Sequence, residues 1–104
     1  MGHEMESGHT GKRAGLSAAL RRCPEFELTI RRLIVADEGF RDICEELADA
    51  ELALSKVNDL PAKLREARRT EWQELVDRLA GELKSAVEGR VAFLRSRVPP
   101  QRPR

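Results

Sequence analysis

Apolar residues recur through the middle of this chain at steps of three and four. Between residues 38 and 57 they fall at Phe40, Ile43, Leu47, Ala50, Leu54 and Val57. Alternating steps of three and four make the two-position seam of a helix packed lengthwise on another helix. Upstream, Phe26, Ile30, Leu33 and Ile34 keep helical spacing behind Pro24. A first helical turn tolerates proline, because that N–H would be unpaired anyway. Downstream, a wider stripe runs from Leu64 and Ala67 through Trp72, Leu75, Val76, Leu79, Leu83 and Val87 to Val91 and Leu94. A stripe of that width predicts more than one neighbour. The pattern predicts three helices, over about residues 24–36, 38–57 and 61–97.

Punctuation agrees with these limits. Asp37 is a good N-cap, and Gly39 weakens a continuous helix by about 1 kcal/mol relative to Ala, so a break is expected between the first two helices. Residues 58–61, Asn-Asp-Leu-Pro, read as a turn, since the residue before proline avoids helical geometry. Gly81 and Gly89 fall inside the third helix, and Pro99 and Pro100 end it. At about 1.5 Å per residue the third helix spans roughly 55 Å, nearly matched by the first two together. The expected fold is therefore all-α: an antiparallel, coiled-coil-like hairpin of a broken helix against a long one. Residues 1–15 hold four of the seven glycines and no apolar period, and read as a flexible tail. The helical domain is placed at residues 16–97, with residues 16–22 supplying a turn or two. A basic, proline-rich tail follows at residues 98–104.

Composition supports this class. Charged residues are 36% of the chain and aromatics 4%, with no Tyr, a poor mixture for a sheet. Net charge is only +1, but it is unevenly spread. Residues 37–60 hold six more acids than bases, and residues 61–104 five more bases than acids. Opposite bias favours pairing of these two helices over wrong self-pairing. A two-helix layer buries little, and scaffolds of this kind call for a staple, a metal or oligomerisation. Two cysteines, Cys23 and Cys44, make no framework and no zinc spacing, which leaves a homo-oligomer as the expectation. No apolar run reaches bilayer length and the N-terminus lacks a signal-peptide core, so a cytoplasmic location is expected.

Chemistry is sparse. The two histidines, His3 and His9, lie in the expected tail, so a general base is hard to nominate. The stretch around Gly11-Lys12 misses the spacing of a phosphate loop. No cofactor and no enzymatic activity are expected. Cys44 reads as a small buried thiol, and Cys23 as reactive if it is exposed beside a helix N-terminus. The candidate interface for self-association or a protein partner comprises Trp72, Leu79, Leu83, Val87, Val91 and Leu94. An alternative is a nucleic-acid accessory protein. Arg90, Arg95, Arg97, Arg102 and Arg104 follow Glu88 with no acid among them, and would contact phosphates.

The stretch Leu33-Ile34-Val35-Ala36-Asp37-Glu38-Gly39-Phe40-Arg41-Asp42-Ile43 resembles the opening of small, uncharacterised bacterial YdcH-like proteins. There an apolar pair, an acid and a Phe-Arg step introduce a helical hairpin. The resemblance implies a hairpin fold in a bacterial protein, with no established chemistry and no functional residues to carry over. The sequence thus leads to a helical interaction or scaffold protein.

Overall fold

The computed structural model describes residues 3–97, with side chains from residue 13 to residue 96. Among the described residues all regular structure is helical. Helix α1 spans His3–Arg22, α2 Glu27–Ala36, α3 Glu38–Ser55 and α4 Ala62–Arg97. A single 3-10 turn, Pro24–Phe26, joins α1 to α2, and another, Val57–Asp59, joins α3 to α4.

The first departure from expectation is α1. The flexible tail expected over residues 1–15 gives way to helix from His3, and Gly15 is buried. The reason is steric. A Cβ placed on Gly15 would stand 3.2 Å from both the Cys44 carbonyl carbon and the Glu45 amide nitrogen. Glycine here permits close approach of two backbones rather than freedom of one. Ala18 and Ala19 continue the contact and are fully buried. Two turns further on, Arg21 and Arg22 both reach Glu51. Arg21 Nη2 lies 2.8 Å from Oε1, and Arg22 Nε donates to Oε2 at 2.9 Å. Residue numbers rise together along both helices, so α1 and α3 run side by side in the same sense.

The break between α2 and α3 is one residue wide. Asp37 is extended, with φ −124° and ψ 109°. Its Oδ1 accepts the Phe40 N–H at 3.0 Å, capping α3. Its own N–H donates to the Leu33 carbonyl at 2.8 Å, closing α2. The Arg41 guanidinium donates to the Ile34 and Val35 carbonyls at 3.0 and 3.2 Å, so the last acceptors of α2 are also met. Gly39 sits inside α3, and the break falls at the cap rather than at the glycine.

Helix α3 is central. It packs against α1, α2 and α4. Phe40, Cys44, Leu47 and Ala50 from α3 form one core with Ile30 and Leu33 from α2 and Val76, Leu79, Leu83 and Val87 from α4. The third flank supplied by α1 makes this core thicker than two helices alone would allow. At the turn into α4, Val57 is buried, Arg65 Nε donates to the Leu60 carbonyl at 2.9 Å, and Arg69 Nη2 donates to Asn58 Oδ1 at 2.7 Å. The opposite charge bias of α3 and α4 does not act through direct bridges. Among the described residues the inter-helix ion pairs join α1 to α3, and the others lie within one helix.

The glycines separate into two kinds, and substitution distinguishes them. Nothing lies within 4 Å of a Cβ built on Gly81 or Gly89. Gly81→Ala and Gly89→Ala are expected to raise stability by about 0.5–1 kcal/mol each, through helix propensity. Gly15→Val is expected to lower it by about 1–3 kcal/mol, through overpacking. Urea denaturation followed by circular dichroism measures all three. A neutral Gly15→Val would show that α1 does not rest on α3 in this way.

Candidate functional site

An open groove of about 310 Å³ lies between α3 and α4. Glu46, Asp49 and Ala50 line it from α3, and Trp72, Leu75, Arg78 and Leu79 from α4. Its floor is apolar because Ala50 and Leu79 belong to the core, and Trp72 and Leu75 are partly buried against that core. Its rim is charged. Neither Glu46 nor Asp49 makes an ion pair with a described residue. Trp72, the largest side chain of the chain, thus stands half-open between two carboxylates and a guanidinium. Such a groove can take an apolar or aromatic-stacking group that carries positive charge.

The other candidate interface residues divide by position. Leu79, Leu83 and Val87 are at most 2% exposed. Leu83 and Val87 pack within the chain's own core and present no surface to a partner, which corrects their assignment as an interface, while Leu79 reaches the surface only in the floor of the groove. An apolar stripe at helical spacing looks the same whether its partner is internal or external, and here the partner is internal. Val91 is partly exposed, and Leu94 is 36% exposed. Both lie in the last two turns of α4. Sequence reasoning found Trp72 but missed Glu46 and Asp49. A signal existed for Glu46, which flanks the Leu47 seam position, where charges meet a neighbouring helix.

The candidate phosphate contacts are placed only in part. Arg90 and Arg95 are exposed, with the Arg90 Cζ 5.8 Å from the Phe93 ring centroid. The side chain of Arg97, and Arg102 and Arg104 altogether, lie outside the described residues. So do the side chains of His3 and His9. Several upstream arginines are already engaged: Arg21 and Arg22 with Glu51, Arg31 with Glu27, and Arg68 with Glu71. No group of three His, Cys, Asp or Glu is placed to hold a metal ion among the described residues. No helix there is long and apolar enough to cross a membrane.

Both thiols are free and buried. Burial pushes Cys44 up to about 12, with the Glu45 carboxylate adding to the effect. Cys23 is raised by burial and by Glu25 and Glu88, against the opposing charges of Lys84 and Arg22. The exposed, reactive Cys23 considered from sequence is therefore corrected, because the thiol is enclosed and its thiolate disfavoured. A thiol whose folded pKa is raised stays protonated after the unfolded chain has ionised. Its stabilising effect is thus complete below pH 9.0 and is lost as pH climbs toward about 12. The urea midpoint is expected to fall between pH 9 and 11, and Cys44→Ala to flatten that slope. An unchanged slope in the variant would rule out Cys44 as the titrating group.

Neither protein-family models, curated proteins nor solved structures give a significant match to this chain.

Proposed function

We propose that this chain is a non-enzymatic helical interaction protein that self-associates and docks a protein segment in the Trp72 groove. One observation carries the reading: the only tryptophan is held half-open in a groove with an apolar floor and an acidic rim that has no ion pair among the described residues. Tryptophan is among the residues enriched at the hot spots of protein recognition, and surrounding charges set which partner fits. Exposed apolar side chains elsewhere point the same way, with Val35 76%, Leu28 61% and Leu52 54% exposed. Helices α3 and α4, joined by a tight turn, act as the hairpin that frames the groove. The YdcH-like stretch at residues 33–43 is consistent with that arrangement. A second reading, binding of nucleic acid, rests on exposed Arg90 and Arg95 near the end of α4. It is weakened by the intramolecular ion pairs that occupy other arginines.

Molar mass from light scattering after size exclusion tests the proposal, run over a range of concentrations with the 260/280 nm ratio recorded. A multiple of 11.8 kDa without nucleic acid is expected, shifting toward the monomer in Trp72→Ala. The half-open setting of Trp72 should let that variant keep its helical circular dichroism. A monomer at every concentration removes the self-association reading. A species that carries nucleic acid, stripped by salt, moves the arginines of α4 to the front.

A further inference from the structure

We propose that the Trp72 groove of one copy receives the basic, proline-rich segment of residues 98–104 from a second copy, the two copies exchanging segments reciprocally. The inference rests on the interaction reading above and names the occupant of its groove. Three observations lead to it.

The first is charge. Glu46 and Asp49 on the rim have no ion-pair partner among the described residues, and they outnumber the one rim cation, Arg78. On the same helix, Asp42 and Glu45 add acidic side chains that have no ion pair among the described residues. Residues 98–104 read Val-Pro-Pro-Gln-Arg-Pro-Arg, with two cations and no anion.

The second is chemical fit. Pro100 and Pro103 stand three apart, the spacing at which proline-rich segments dock in aromatic-lined grooves. Such segments lose little freedom on binding, because proline already restricts them. Arg102 lies between these prolines and Arg104 directly follows the second. A guanidinium on the indole face, held by a neighbouring carboxylate, is a favourable pairing.

The third is reach, which selects a second copy over the same chain. Trp72 and Arg97 lie on one helix, 25 residues apart, a distance of roughly 37 Å. Arg104 stands seven residues beyond Arg97 and, even fully extended at about 3.6 Å per residue, lies within roughly 25 Å of the helix end. The chain's own Trp72 is out of range, and a neighbour's is not. Reciprocal exchange uses the same two surfaces on each copy, so the assembly closes as a two-fold dimer.

The test is charge reversal in the full chain, read by mass and by Trp72 emission. Arg102→Glu with Arg104→Glu is expected to weaken dimerisation by about tenfold or more and to shift Trp72 emission to the red. Glu46→Lys with Asp49→Lys is expected to do the same, and the combination of all four to restore both readouts. All four residues lie at the surface or outside the described body, and circular dichroism checks that each variant keeps its helices. If the arginine reversals leave mass and emission unchanged in a protein that still dimerises, the exchange is overturned while the interaction reading stands. If the unaltered chain is a monomer throughout, the interaction reading itself falls. If the arginine reversals release nucleic acid without changing the protein mass, the segment serves nucleic acid and the exchange is overturned.

Discussion

Everything in this fold depends on how closely α1 lies on α3. At Gly15 a Cβ would stand only 3.2 Å from the Cys44–Glu45 backbone, so any side chain would press the two helices apart. That approach brings Ala18 and Ala19 into full burial and encloses the Cys44 thiol. Two turns on, it lets two arginines converge on one glutamate. The exposed part of such a pair contributes little, so packing of small residues, not charge, sets the distance. With α1 removed, α3 would show an uncovered flank of small residues and a thiol in water.

The same constraint explains why α2 must be short and its joint tight. Its partners are α1, α3 and α4. Asp37 serves both neighbours at once, taking the Phe40 N–H as a cap and giving its own N–H to Leu33. Arg41 then reaches back to two carbonyls that a helix end normally leaves to water. A break of one residue, satisfied on both sides, fixes the entry of α3 without a flexible loop.

Much of this was legible in the chain. Asp37 as a cap, and Pro61 as the marker of a turn, located the ends of α3 and α4 to within a residue or two, because local chemistry decides helix ends. Periodicity also revealed the apolar stripe of α4. What stayed hidden was decided by a partner distant in sequence. Gly15 sits among other glycines, and glycine at a close crossing is written identically to glycine in a loose tail. Leu79, Leu83 and Val87 read as a candidate interface because the stripe does not record what covers it. Those side chains turn out to be interior because α3 and α2 cover them. The rim carboxylates were visible as an acidic bias, but the bias suggested bridges to α4 that the packing does not make.

The placement of unpaired charge follows from these facts. Helix α3 spends Glu51 on α1 and leaves Asp42, Glu45, Glu46 and Asp49 without ion pairs among the described residues. Helix α4, 36 residues long, is roughly 54 Å against roughly 27 Å for the 18 residues of α3. One helix twice the length of its neighbour leaves its ends uncovered, which is why Leu64 and Leu94 stay exposed while Val76, Leu79, Leu83 and Val87 between them are buried. Acidity thus gathers on the compact middle of the molecule, and basic residues on the far end of its longest helix. In the proposed exchange such charges neutralise each other between two chains, where like ends repel and unlike surfaces meet. The mismatch in helix length would then direct the choice of partner, because it holds the basic end of α4 away from Trp72 of its own chain.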